Sequence, residues 1–75
     1  MMIQITEKTA NGIDLNDGKT FVSFADYKLV NIPMVSVSIN HKMGRPFKSI
    51  DEAISIYKKS SIKSLLEVAK SELYK

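Results

Sequence analysis

The spacing of apolar residues changes once along this chain, and that change limits what the chain can fold into. Apolar and polar side chains alternate before residue 41, so that Val35, Val37 and Ile39 share one face of an extended strand. From Ser49 onward the apolar residues recur at helical spacing instead. Strands followed by helices predict an α+β fold rather than an alternating parallel one.

The segment from residue 44 to residue 54 marks the change, because it contains a turn and a strong helix start. Ser49 and Glu52 form a capping box, in which the Ser hydroxyl accepts from a backbone N–H three residues on. A first apolar stripe follows at Ile50, Ala53, Ile54 and Tyr57, and a second at Ile62, Leu65, Leu66, Ala69 and Leu73. Two helices are favoured over one long helix, with Ser60 or Ser61 as the second cap.

The first forty residues predict strands joined by tight turns. Asn11-Gly12 and Asn16-Asp17-Gly18 are turn signals, because their residues tolerate positive φ. Apolar alternation or β-branched composition predicts strands at 2–8, near 13–15, at 20–24 and at 34–40. The prediction is one small domain, 1–75: a three- or four-stranded antiparallel meander with one or two C-terminal helices packed on one face.

Composition restricts the setting of the protein. The chain has no cysteine, which excludes disulfides and thiolate metal sites and suits a reducing compartment. Its N-terminus lacks the pattern of a signal peptide, and no apolar stretch is long enough to cross a membrane. We therefore expect a cytoplasmic protein that has no membrane partner.

The sequence offers little for catalysis. His41 is the only histidine, so one chain cannot supply a catalytic triad or a two-histidine metal site. There is no nucleophile elbow, phosphate-binding glycine loop or pair of closely spaced aspartates. We expect a protein that is not an enzyme and has no cofactor, no metal and no small-molecule substrate.

Positive charge gathers in the second half of the chain. Residues 41–75 carry seven Lys and one Arg against four acidic residues. Lys42, Arg45 and Lys48 form a basic cluster there, and Lys58, Lys59 and Lys63 follow. We expect these six residues to be the nucleic-acid contacts, while a turn with solvated charges is the alternative for the cluster. Phe47 is expected to pack under the helix.

Part of the chain resembles known DNA-binding architectures. Gly44-Arg45-Pro46 is similar to hooks that place an Arg in the minor groove. Residues 22–24, 34–40 and 47–54, with Lys42 and Gly44, resemble the three-stranded-sheet-plus-helix domains of plant ethylene-response factors, and the arm-binding domains of tyrosine integrases. The resemblance implies a sheet and helix, and with its phage relatives a phage or mobile-element origin. Ser36 and Ser38 stand where those families place DNA-reading side chains.

Two hypotheses follow. The first is a small binding module that acts on nucleic acid or on a nucleic-acid-handling protein. The second is a protein-interaction or inhibitor module of antitoxin-like or anti-defence type, since residues 22–26 and 52–54 also resemble an antitoxin-type domain. Ile56, Val68 and Tyr74 would then form a hydrophobic interface or the seam of a homodimer.

Overall fold

A computed structural model describes residues 2–74 and shows an antiparallel sheet followed by two helices. The strands are β1 (Gln4–Lys8), β2 (Gly12–Asn16), β3 (Phe21–Asp26), β4 (Val35–Ile39) and β5 (Arg45–Phe47). A 3-10 turn (Tyr27–Val30) lies between β3 and β4. The helices are α1 (Ile50–Ile56) and α2 (Ile62–Leu73).

The strands form a meander in which each pairs with its neighbours in the sequence, in the order β1-β2-β3-β4-β5. The predicted α+β class is confirmed, but the sheet has five strands rather than three or four. The missed strand is β5, which pairs Val37 with Arg45 and Val35 with Phe47. It has only three residues and contains Pro46, so it shows neither the alternation nor the length that predicts a strand.

One face of the sheet carries the core. Ile13, Leu15, Val22, Phe24 and Val37 are buried on it, as the alternation predicts. α2 packs against β2 and β3, and α1 packs against β5. The apolar stripes of both helices supply the rest of the buried cluster, with Ile50, Ala53, Leu65, Leu66 and Ala69. Phe47 is buried in it too, as expected.

The two predicted helices are confirmed, and their caps differ. Ser49 Oγ accepts from the Glu52 backbone N–H at 3.2 Å, which is the hydroxyl half of the predicted capping box. At the start of α2, Ser60 Oγ accepts from the Ile62 backbone N–H at 3.1 Å. Ser61, the residue that directly precedes α2, makes no side-chain capping bond.

The turns only partly match the sequence signals. Gly18 has φ 92°, as its turn requires, whereas the turn at Asn11-Gly12 forms without positive φ at either residue. The predicted turn at Gly44 is wrong, since the chain reverses at Asn40 and His41, with φ 54° and 64°. Gly44 is instead confined by packing, because a Cβ at this position would collide with Ser36 Oγ.

The antiparallel order gives the molecule two ends. The β2–β3 and β4–β5 turns lie at one end, and the β1–β2 turn and the β3–β4 connection lie at the other. Helix α1 begins at the second end, directly after β5. Lys70 of α2 pairs there with Asp51 of α1, with 2.6 Å between Nζ and Oδ1. The connection between the helices therefore lies toward the first end.

Candidate functional site

Five of the nine lysines in residues 2–74 lie toward the end that holds the β2–β3 and β4–β5 turns, and they differ from the other four in their surroundings. We call this the basic end and define it by Lys19, His41, Lys42, Lys58, Lys59 and Lys63. Asp17 is the acidic residue of its turns. Among the described residues, two ion pairs have a nitrogen–oxygen distance within 4 Å, Lys8–Glu72 and Lys70–Asp51. Both lie at the end that holds the β1–β2 turn and the β3–β4 connection. The lysines of the basic end have no carboxylate partner of this kind.

Side-chain and backbone bonds fix the turn that presents Lys42. Asn40 donates its N–H to the Phe21 carbonyl at 2.8 Å, and its Oδ1 accepts from the Phe21 N–H at 2.9 Å. The Lys42 N–H donates to the Ile39 carbonyl at 3.1 Å, which closes the hairpin. Ser38 Oγ donates to the Lys42 carbonyl. The backbone that carries Lys42 and Met43 is therefore held, while both side chains are exposed.

An aromatic pair lies between the two turns. The rings of Phe21 and His41 stack with centroids 4.5 Å apart and planes 17° apart. They border a shallow cavity of about 320 Å³, together with Lys19 and backbone of both turns. A stacked ring beside lysines is the combination that proteins use to hold unpaired bases and their phosphates.

The neighbouring turn is ordered by Asp17. Its Oδ1 accepts from the backbone N–H groups of Thr20 and Lys19, at 2.8 and 2.9 Å. These backbone bonds, the one from Thr20 first, lower the pKa of the Asp17 carboxyl below its usual 3.8. The carboxylate thus holds the turn in place and stays ionised at neutral pH.

The structure separates the six predicted nucleic-acid residues. Lys42, Lys58, Lys59 and Lys63 lie at the basic end. Arg45 lies on the edge strand β5, with its guanidinium carbon 5.2 Å from the centre of the Phe47 ring. Lys48 follows β5 at the opposite end of the sheet, where it lines a different cavity. Lys19, Phe21 and His41 were not predicted as site residues. The turn signal at 16–18 was the hint of the first two, and the position of His41 directly before Lys42 was the hint of the third.

The face of the sheet away from the helices is polar rather than basic. Ser23 Oγ donates to Asp14 Oδ1 at 2.7 Å in the middle of it, and Ser36 and Ser38 lie on the next strand. Lys8 and Arg45 are the only cations in the described strands, and their register puts both on the helix side. The arrangement in which strand cations read the major groove is therefore not present on this face.

The three predicted interface residues lie at different points of the two helices and differ in exposure. Ile56 ends α1 and is 53% exposed, without a neighbour to cover it. Val68 is half-buried against the core. Tyr74 follows α2, packs edge-on against Phe24 and donates its hydroxyl to Asp26 Oδ2. Burial first, and then this hydrogen bond, raise the pKa of the Tyr74 hydroxyl above its usual 10.

Residues 2–74 contain no group of three or more His, Cys, Asp or Glu side chains placed to hold a metal ion. No helix in this part of the chain is long and apolar enough to cross a membrane. No protein-family model, curated protein or solved structure matches the chain.

Proposed function

We propose that this protein is a non-enzymatic module that binds single-stranded nucleic acid with its basic end. The observation that carries the proposal is a set of lysines, none of them in a salt bridge within residues 2–74, that the turns and the helix connection bring toward one end. Phosphates are the partner that such a group of exposed cations favours, because binding releases the counterions condensed on the strand.

The aromatic pair supports a single strand over a duplex. A base can stack on an exposed ring only when its face is free, and duplex bases are already stacked on each other. His41 is exposed and rests on Phe21. Lys19 and Lys42 lie in the two turns beside it and can contact the phosphates on either side of a stacked base.

The position of Arg45 also favours contact through the backbone of the nucleic acid. Its guanidinium carbon lies 5.2 Å from the centre of the Phe47 ring, so this exposed side chain lies over an aromatic ring at the edge of the sheet. With a polar open face and an Arg held against an aromatic ring, the module has few side chains that could read base edges. We therefore propose binding with weak sequence preference.

The test is fluorescence anisotropy with a labelled oligothymidylate, its RNA counterpart and a duplex of equal length, across a salt series. We expect the single strands to bind more tightly than the duplex. Affinity should fall by about 0.7 log units per phosphate contact for each tenfold rise in salt. Binding that ignores salt, or is absent at low salt, would remove the proposal and leave the protein-interaction alternative.

A variant at position 41 tests the stacking contact. His41→Asn removes the ring, and Asn tolerates the positive φ of this position better than most residues. We expect it to weaken binding to the single strand by about 1 kcal/mol or more, with an unchanged salt slope. An unchanged affinity would show that His41 does not stack on a base.

A further inference from the structure

The end of the molecule opposite the basic end holds an apolar cavity. It has a volume of about 470 Å³ and lies between the β3–β4 connection and the start of α1. Pro33, Met34, Val35 and Ile50 supply its apolar lining. Its charged lining residues are Lys28, Lys48, Lys70, Asp26 and Asp51. We call this the groove end. A cavity of this size accepts one or two apolar side chains.

Three lysines and two aspartates line this cavity, and one lysine and one aspartate of the set form an ion pair. Asp51 pairs with Lys70 at 2.6 Å. Asp26 accepts from the Tyr74 hydroxyl and, through Oδ1, from the Lys28 backbone N–H at 2.9 Å. The side chains of Lys28 and Lys48 make no ion pair within residues 2–74. With the Asp51–Lys70 pair set aside, Lys28, Lys48 and the Asp26 carboxylate remain, so the lining carries a small net positive charge that favours an anionic partner.

Exposed apolar side chains extend the surface beyond the cavity. Leu29, Val30 and Ile32 are 67%, 61% and 44% exposed in the same connection. Leu29 also borders a second cavity of about 200 Å³, on the far side of Lys28 and Tyr74. A small ligand in the first cavity would leave these side chains uncovered, whereas a polypeptide segment can fill the cavity and lie across the connection.

We infer that the groove end binds an acidic segment of a partner protein, with an apolar side chain of that segment in the cavity and flanking carboxylates on Lys28 and Lys48. The net positive charge of the lining favours an acidic segment over a basic one. This site is distinct from the nucleic-acid surface, and it would make the protein a two-ended adaptor. It depends on none of the residues of the basic end.

The test uses two synthetic peptides with the same central Leu-Phe, one flanked by Asp and Glu and the other by Lys and Gln. Backbone amide NMR signals of the ¹⁵N-labelled protein are followed during titration. We expect the acidic peptide to cause saturable shifts at Lys28, Met34, Ile50 and Tyr74, and the basic peptide to cause none. Equal shifts with both peptides, or no saturable shift with the acidic one, would overturn the inference.

Two variants separate the charged and apolar parts of the site. The double variant Lys28→Gln with Lys48→Gln should lower the affinity for the acidic peptide roughly fivefold, as expected for the loss of two exposed ion pairs. Leu29→Ser with Val30→Ser should also weaken it, without loss of fold, because both side chains are already exposed. Lys42→Gln with Lys59→Gln makes the same charge change at the basic end and should leave peptide affinity unchanged.

Equal weakening of peptide binding by both lysine pairs would show a general charge effect and contradict a localised site. Displacement of the peptide by oligothymidylate would contradict the separation of the two sites.

Discussion

The lysines at the two ends of the sheet have different neighbours. At the groove end, Lys70 Nζ lies 2.6 Å from Asp51 Oδ1 and Lys8 Nζ lies 3.8 Å from Glu72 Oε1, and the other two lysines line a largely apolar cavity. At the basic end the lysines are exposed or half-exposed and lack such pairs, and an aromatic stack lies among them. Because one short sheet joins the two ends, charge of a single type could serve two different kinds of partner.

This difference shows that neighbours in the sequence need not share a surface. Lys42 and Lys48 are six residues apart, and the extended chain between them can span roughly 20 Å. The hairpin places Lys42 at one end, and β5 carries Lys48 to the other. A basic cluster in a sequence is therefore a surface patch only if the local structure keeps its members together.

The largest expected effect concerns the core that joins the two ends. Leu65 is fully buried between α2 and the sheet, so Leu65→Ala should cost about 3 kcal/mol of unfolding free energy. Urea denaturation followed by NMR signals from both ends measures it. The two ends should unfold together. Loss of one end before the other would show that they are separate units, and Glu67→Ala on the exposed side of the same helix should have little effect.

The N-terminal cap of α1 should contribute less to the free energy of unfolding than Leu65 does. Ser49→Ala removes the acceptor for the Glu52 N–H and should cost about 1 kcal/mol, measured by chemical denaturation. Ser61→Ala is a matched control, because Ser61 directly precedes α2 but makes no capping bond. A loss at Ser61 as large as that at Ser49 would contradict the assignment of the caps.

The hydrogen bond between Tyr74, which follows α2, and Asp26 should contribute a similar or smaller amount to the free energy of unfolding. Tyr74→Phe removes the hydrogen bond to Asp26 and should cost roughly 0.5 to 1 kcal/mol, since the site is partly exposed. The folded pKa of Tyr74 is raised, so its contribution is complete below pH 10 and is lost as pH rises further. Denaturation at neutral and alkaline pH should show this loss in the wild type and a smaller one in the variant.

The smallest expected effect lies in the β2–β3 turn of the basic end. The folded pKa of Asp17 lies below its usual 3.8, so its contribution to stability is present above that pH and is lost as pH falls through the folded pKa. Asp17→Asn should therefore reduce the acid sensitivity of the melting temperature. If the melting temperature of the variant falls with decreasing pH as steeply as that of the wild type, the two backbone hydrogen bonds do not stabilise the charged form of Asp17.

Local signals predicted most of the fold. The Ser49 cap, the two helical stripes and the alternation along β4 each depend on residues close in the sequence, and the structure confirms them. β5 was missed because three residues that include Pro46 are defined by their partner strand and not by their own pattern. The restriction on Gly44 was missed for the same reason, since it comes from Ser36 on the neighbouring strand.

The candidate sites were less predictable, because they depend on which residues the meander brings together. Phe21 and His41 are twenty positions apart and meet only because two turns lie at the same end. Lys28 and Lys48 share a cavity because the β3–β4 connection folds beside the start of α1. No spacing along the chain signals either arrangement.

The most direct test of the two-ended account compares matched lysine pairs on the same labelled oligothymidylate. The slope of log affinity against log salt is measured for Lys42→Gln with Lys59→Gln and for Lys28→Gln with Lys48→Gln. We expect the first pair to make the slope shallower by about 1.4, which corresponds to two lost phosphate contacts, and the second pair to leave it unchanged. Equal slopes for the two double variants, or no salt-dependent binding by the wild type, would contradict the proposal that the basic end holds the nucleic acid.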